Sequence, residues 1–280
     1  MRPVFLFLLA VLTAAAANCD RACLAGFVTR YLDAMVAHNP AALPLSANAR
    51  FTENGHTMRL GEGLWKDASR VRPYRLDILD TREGIAASQV VVEESAAPVL
   101  LVLRLKVVGG SIAEAETMVT RNRNEGAIFS FDALEAPRKE MTFVPDRSQL
   151  ATRGEAVRLA TFYPAGLKAG SFVQVDAPFA SDAYRVENGR ITAGPGCARA
   201  GCENIKTQRI LKHPALTYKV AAVDEDRGIV LLRMNFGDTG SYGPGNALYV
   251  WEAFKVYGGE IHAVEAFMRV MPANAGWGWE

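Results

Sequence analysis

Two glutamates near the C-terminus, Glu252 and Glu265, have the residue type and spacing best suited to chemistry. The segments that carry them meet at Gly258-Gly259. With that pair in a two-residue turn, Tyr257 faces Glu260, Val256 faces Ile261, Phe254 faces Ala263 and Glu252 faces Glu265. Side chains alternate along a strand, so Val250, Glu252, Phe254 and Val256 share a face with Ile261, Ala263, Glu265 and Phe267. Two carboxylates opposed on an otherwise apolar face repel each other, and desolvation penalises each ionised form. One of them should keep its proton near neutral pH, which puts an acid and a base in one site that titrates as a unit. The same register in the first half of the chain sets Leu103 against Glu116, leaving a single carboxylate, so the second half is expected to be the reactive one. A basic neighbour such as Arg185 or Arg233 bonding Glu252, or a one-residue slip in register, would dissolve the pair.

Other residues could support such a site. Glu53-Asn54-Gly55 recurs as Glu187-Asn188-Gly189. A carboxylate and an amide at a pocket mouth can orient a polar substrate, and Glu187 would assist the catalytic pair. The block also has a purely structural reading, in which Asn-Gly makes the turn and Glu caps the next helix. Tyr163 and Tyr31 fall on the opening helices, where a hydroxyl could reach a substrate oxygen, and Trp65 and Trp251 could wall an apolar pocket. His38 and His213 read as loop residues, His262 points away from the carboxylate face, and His56 comes after a turn from which it could reach a pocket. No two histidines have metal-ligand spacing, so neither a metal nor a cofactor is expected. The run from Gly237 to Asn246 is rich in glycine but lacks a phosphate-binding pattern, and reads as a hairpin loop at a pocket rim. There is no GxSxG elbow for acyl-enzyme chemistry.

The elements that must position these residues come twice. Three blocks recur in order, and their offset grows from 134 to 144 to 149 residues. The blocks are the two Glu-Asn-Gly segments, Tyr74 to Ile85 against Tyr218 to Ile229, and Leu105 to Glu116 against Phe254 to Glu265. The first increase coincides with the Cys197 to Cys202 segment, which reads as an inserted loop. A repeating unit this long is a domain rather than a solenoid repeat. The expected boundaries are 18–140 and 141–280. Each unit is predicted to open with a helix (23–37 and 149–163), pass through the Glu-Asn-Gly turn and a further helix (60–69 and 204–212), and close with three or four antiparallel strands. This is an α+β layout.

The order of elements and the terminal Phe254-Lys-Val-Tyr-Gly-Gly-Glu-Ile261-His-Ala-Val-Glu265 hairpin resemble SnoaL-like proteins of the nuclear-transport-factor-two-like superfamily. Cys19-x3-Cys23, Thr52-Glu53-Asn54-Gly55, Val223-Asp224-Glu225-x-Arg227-Gly228 and Gly276-Trp277 together are similar to an exported two-domain family. The resemblance implies two tandem cone-shaped barrels, each with a curved antiparallel sheet wrapped against helices around a pocket. It further implies chemistry without a cofactor (dehydratases, isomerases, cyclases, hydrolases and lyases), or none, since the superfamily includes binding modules. Fold alone does not choose between them.

The chain has 280 residues, is 50% hydrophobic and carries a net charge of +1 from 31 basic and 30 acidic residues. It is too apolar to be disordered, and too nearly neutral to coat a nucleic acid. Residues 1–17 combine a basic start, an apolar run too short to span a bilayer and small residues up to Ala17. They read as a cleaved export signal, so no membrane association is expected afterwards. In an oxidising compartment the four cysteines read as disulfides, with Cys19–Cys23 and Cys197–Cys202 preferred over pairings that join the N-terminus to the second half. The expectation is an exported lyase, dehydratase or isomerase acting on a small apolar, aromatic-tolerant compound. Glu252 and Glu265 would move protons, and Asn188, Tyr163, Glu53, Asn54, Trp65, Glu116 and Trp251 would bind. The alternative is a non-catalytic protein binding a small molecule or partner through two pockets. Self-association through the outer sheet faces stays open.

Overall fold

The computed structural model describes residues 19–278, so the proposed signal at 1–17 lies outside the described residues. The first half opens with α1 (Arg21–Val36), followed by β1 (Leu45–Glu53), β2 (His56–Met58), β3 (Ala68–Asp80), β4 (Ile85–Glu94), β5 (Ala97–Val108) and β6 (Ser111–Thr120). A connecting stretch holds two single-turn helices, α2 (Arg123–Gly126) and α3 (Lys139–Thr142). The second half repeats the order with α4 (Arg153–Ala169), β7 (Phe179–Glu187), β8 (Arg190–Ala193), β9 (Thr217–Asp224), β10 (Ile229–Asn235), β11 (Asn246–Tyr257) and β12 (Glu260–Pro272).

The helix ends are set by their caps. Asp20 accepts from the Cys23 N–H at the start of α1. Thr152 accepts from the Glu155 N–H at the start of α4, a Thr-x-x-Glu sequence that sets the first turn four residues later than periodicity suggests, and Gly170 ends the helix at φ +78°. The further helices expected at 60–69 and 204–212 do not form. Gly61 and Gly63 at φ +100° and +65° reduce the first to a 3₁₀ turn at Gly63–Lys66. In the second, Asn204 folds its side chain back onto the Lys206 and Thr207 N–H groups.

Each half forms a six-stranded sheet, in orders β2-β1-β6-β5-β4-β3 and β8-β7-β12-β11-β10-β9. The sheets are mixed rather than wholly antiparallel, because β1 runs parallel to β6 and β7 parallel to β12. One face of each sheet curls around its own helix and its own apolar core, giving two α+β cones in tandem.

The turn joining β11 to β12 is as expected, with Tyr257 opposite Glu260 and Val256 opposite Ile261. The next pair is Lys255 with Ala263, so His262 is an extra, unpaired residue. Beyond this bulge every partner is displaced by one. Glu252 faces Ala266 and Glu265 faces Ala253. The first half carries the same bulge at Ala113, which sets Glu116 against Arg104 and Leu103 against Thr117. The Glu252–Glu265 pair read from the sequence is therefore corrected. A one-residue displacement sends the two carboxylates to opposite faces of the sheet.

The outer faces of the two sheets pack against each other in a third core, which includes Tyr74, Ile78, Val102, Met118, Tyr184, Leu231, Tyr249, Trp251 and Phe267. The faces suggested for self-association are thus consumed within the chain. Approximate two-fold reciprocity governs this contact. Asp80 accepts from the Val223 N–H at 2.8 Å and from Arg153 at 2.7 and 3.0 Å. Asp224 accepts from the Leu79 N–H at 3.1 Å and from Arg21 at 2.6 Å. Each half's opening helix thus clamps the other half's β-turn aspartate, and both aspartates are fully buried.

The exit segments also cross over. After β6 the chain runs to the second half's Asn188-Gly189 turn, where Ser130 N–H donates to the Asn188 carbonyl and Ala133 N–H to that of Gly189. After β12 the tail runs back to Gly55, where a Cβ would stand 2.4 Å from the Gly276 oxygen; at Gly189 it would stand 1.9 Å from the Ser130 oxygen. Both glycines also have positive φ. The recurrence of Glu-Asn-Gly is explained by this close approach of backbone from the other half.

Two outcomes are expected. Asp80→Ala leaves Arg153 and the Val223 N–H without their buried partner and should lower unfolding free energy by about 3 kcal/mol in urea titrations. Gly189→Ala, strained in φ and colliding with backbone, should cost more than the ~1 kcal/mol typical of a helix-interior Ala-to-Gly change.

Candidate active site

The second cone is open inside. A cavity of about 270 Å³ lies between α4, the inner face of β7, β12 and β11, the connecting stretch at Ala127 and Ile128, and the loops 199–213 and 236–242. This is slightly under the range of drug-sized pockets, so it suits a smaller ligand. Its walls are apolar at Leu167, Phe236, Leu248, Val250 and Met268, and its polar groups include Tyr163, Arg185, Glu187, Gln208, His213, Tyr242 and Glu252.

The strand register places the two carboxylates. Ala266 on β12 pairs with Glu187 on one side and with Glu252 on the other. The three residues form one row across the inner face, with the glutamates two strands apart, about 9.6 Å between backbones. The small Ala266 side chain leaves the space over the row open. Glu252 therefore does face a second carboxylate, but its partner is Glu187 rather than Glu265.

Glu252 is only 2% exposed. Burial pushes its carboxyl up to about 8, helped by the charge of Glu187, with Arg185 and a hydrogen bond from Tyr163 pulling the other way. At neutral pH it carries a proton. Arg185 holds the neighbouring groups together. It donates to the Tyr163 hydroxyl at 3.1 Å and to Thr192 at 2.9 Å, and its guanidinium lies 3.5 Å from the Glu187 carboxylate. Tyr163 keeps its proton because burial holds its hydroxyl well above the ordinary range. Burial lowers His213, so it is neutral at pH 7. The site thus presents a neutral carboxylic acid and an arginine-held carboxylate on one apolar wall. Among the described residues no three His, Cys, Asp or Glu side chains converge so as to hold a metal ion.

The remaining sequence candidates lie elsewhere. Glu265 is buried between the sheets, accepting from the Tyr74 and Tyr184 hydroxyls at 2.6 and 2.7 Å. Glu116 sits in the same interface, 3.2 Å from Arg233 and 3.8 Å from Arg104. Trp251 faces that interface too, against Trp277. The bulges account for both glutamates. Asn188 is fully buried, and its side chain is spent on backbone: it accepts from the Met268 N–H and donates to the carbonyls of Gly126, Ile128 and Met268. Asn54 likewise accepts from the Val119 N–H. Both asparagines close the parallel strand pairs and bind no cavity.

The first cone is filled. Trp65 is buried beside Tyr31, donating its ring N–H to the tyrosine hydroxyl at 2.9 Å. The Glu53 carboxylate accepts from the Leu64 N–H at 3.0 Å and lies against Gly63. The row matching Glu187–Ala266–Glu252 is Glu53–Thr117–Leu103, which lacks the second carboxyl. Trp65 and Tyr31 thus occupy the interior of the first cone where the second holds its cavity. His56 is exposed.

Arg185, expected as a basic neighbour of Glu252, enters the site through its contacts with Glu187 and Tyr163. Gln208 and His213 enter it without having been singled out. They follow the inserted loop, in and just beyond the stretch where a helix is expected at 204–212 and none forms. The inserted loop itself is closed by a disulfide between Cys197 and Cys202, and a second joins Cys19 to Cys23.

A group with a raised carboxyl pKa in the folded protein favours folding at low pH. Its contribution is present below the ordinary 4.5 and is lost as pH rises through about 8. The gap corresponds to about 5 kcal/mol. Glu116, pushed up to about 7 by burial against the pull of Arg233 and Arg104, adds a slope of the same sign. Glu252→Gln should therefore flatten the fall in urea stability between pH 5 and 9, and should be more stable than wild type at the alkaline end.

Residues 149–268 match the family model described as Domain of unknown function (DUF8021). No curated protein matches the chain. Among solved structures, the chain is similar to a hypothetical protein with a ketosteroid isomerase-like fold from Catenulispora acidiphila, crystallised with trimethylamine. The identity is 16%, over 42% of this chain and 97% of that one, with a TM-score of 0.25.

Proposed function

We propose that the second cone is a cofactor-independent active site for a dehydration, lyase or isomerisation reaction on a small, largely apolar compound. The observation that carries this reading is the buried Glu252, its carboxyl pushed up by burial, sharing an apolar wall with the arginine-held Glu187. An acid and a base fixed on one face suit reactions that remove a proton from carbon while delivering one to oxygen. In a dehydration, Glu187 takes the proton beside a carbonyl or carboxyl and the electron pair forms the new double bond. The carbon–oxygen bond then breaks toward oxygen, and Glu252 donates the proton that completes the departing water. Tyr163 and Arg185 hold both carboxyls in place. The first cone, packed around Trp65, serves as scaffold through the shared sheet interface.

The two disulfides favour an oxidising compartment, and with residues 1–17 as an export signal they support a secreted or periplasmic location. A second reading, non-catalytic binding in this pocket, is favoured by the Arg185 contact, which ties up the Glu187 carboxylate at 3.5 Å.

The test is a panel of small aromatic ketones and 3-hydroxy acids in deuterated water, monitored by proton NMR for exchange at carbon and loss of water. Wild type should turn over, with kcat falling as pH rises through about 8. Glu252→Gln and Glu187→Gln should each lower kcat by about 100-fold or more. Glu265→Gln should lower stability and leave kcat unchanged. Retention of full activity in Glu252→Gln, or conversion confined to variants with Glu265 intact, would overturn the catalytic reading. A ligand bound tightly and released unchanged would favour the second.

A further inference from the structure

The longer stretch that joins β8 to β9 in the second half brings polar groups to the cavity that the protein itself leaves unanswered. Gln208 is 6% exposed and lines the cavity, yet neither its Oε1 nor its Nε2 has a partner. A buried amide with no partner costs about 1–3 kcal/mol, and both of its atoms are shut off from bulk water. A ligand in the cavity would answer it with an acceptor for Nε2 and a donor for Oε1. Arg199, inside the loop closed by Cys197 and Cys202, and Arg209 line the same cavity. Both are exposed at its mouth, and neither forms an ion pair among the described residues.

Charge points the same way. The titratable and charged groups lining the cavity are Tyr163, Arg185, Glu187, Arg199, Arg209, His213, Tyr242 and Glu252. Arg185 is paired with Glu187 at 3.5 Å, and burial favours the uncharged forms of His213, Glu252 and both tyrosines. The two mouth arginines are left in excess. A concave, low-dielectric site with uncompensated positive charge selects an anion. In the first half the matching stretch is shorter and delivers Trp65 into the cone. In the second, the longer stretch holds the cone open and supplies Arg199, Gln208 and Arg209.

We propose that the second-half cavity binds a small hydroxycarboxylate, with the carboxylate toward Arg199 and Arg209 and an adjacent carboxylate-oxygen and hydroxyl pair on Gln208. The apolar remainder lies against Leu248, Val250 and Met268. This rests on the cavity being a ligand site and names the substrate class for the proposed reaction, since it brings a leaving hydroxyl to the side of the carboxyl wall. It does not require turnover.

The experiment is isothermal titration calorimetry of the mature chain with three probes. These are 3-hydroxy-3-phenylpropionate, its methyl ester, which lacks the charge, and 3-phenylpropionate, which lacks the hydroxyl. The hydroxy acid should bind at least about tenfold more tightly than either analogue, with affinity falling as salt is raised. The Arg199→Ala/Arg209→Ala double variant should abolish the advantage of acid over ester. Gln208→Leu should abolish the advantage of the hydroxy acid over phenylpropionate. Because it removes an unpartnered amide, Gln208→Leu should melt no lower than wild type; if it does melt lower, Gln208→Met, closer in shape, makes the same comparison. Ester binding as tight as acid, hydroxyl selectivity that survives loss of the Gln208 amide, or no binding of any probe overturns the proposal. Selective binding of the hydroxy acid without conversion leaves the ligand class standing and removes the catalytic reading.

Discussion

Side chains alternate strictly along a strand, and one unpaired residue inverts the alternation for everything beyond it. His262 is that residue in β12, as Ala113 is in β6. Because of it, Glu252 reaches the cone while Glu265 reaches the seam between the sheets, where two tyrosine hydroxyls satisfy it. Without the bulge both carboxylates would crowd one face, and the seam would lose its buried acceptor. His262 itself lies flat on Tyr257, with ring centroids 3.6 Å apart. The bulge is thus a fixed part of the hairpin, and it decides on which faces of the sheet Glu252 and Glu265 are placed.

The two halves cover for each other in ways that neither could manage alone. A sheet with an apolar outer face has to bury it, and here each buries the other's. Asp80 and Asp224 then tie the arrangement at its rim by accepting from the opposite half's backbone and opening helix. The crossed exit segments seal the opposite Asn-Gly turns. With stability secured this way, the halves were free to differ inside their cones. Trp65 fills one. The other keeps a cavity, with the buried Glu252 carboxyl on its wall.

The repeat, the α+β class, the helix openings and the Gly-Gly hairpin turns were all legible, because each arises from local pattern or capping chemistry. So was the difference between the halves in carboxylate content, through Glu252 against Leu103. The partner of Glu252 was not legible, because a bulge adds one residue without any signature in composition: Lys255-Val256 and His262 read as ordinary strand. The parallel pairing of β7 with β12 was equally hidden. It joins residues about eighty positions apart, and only that pairing brings Glu187 into the row with Ala266. Asn54 and Asn188 show the converse. Their turn chemistry was readable, and the structure gives them that role rather than a place in the pocket. Arg199 comes from the inserted loop, and Gln208 and Arg209 from a stretch expected to be helical that forms no helix, so only the folded chain shows them at the cavity.

The claim on which the functional account stands is that Glu252 is a neutral acid inside the second cone at physiological pH. Carbon-13 labelling of the glutamate carboxyls, with resonances assigned by Glu252→Gln and Glu187→Gln, measures this directly across a pH titration. The account predicts that the Glu252 carboxyl carbon holds its protonated shift through neutrality and moves with a midpoint near 8. A midpoint near the ordinary 4.5 would mean a carboxylate that water reaches freely, and the acid–base site would not exist.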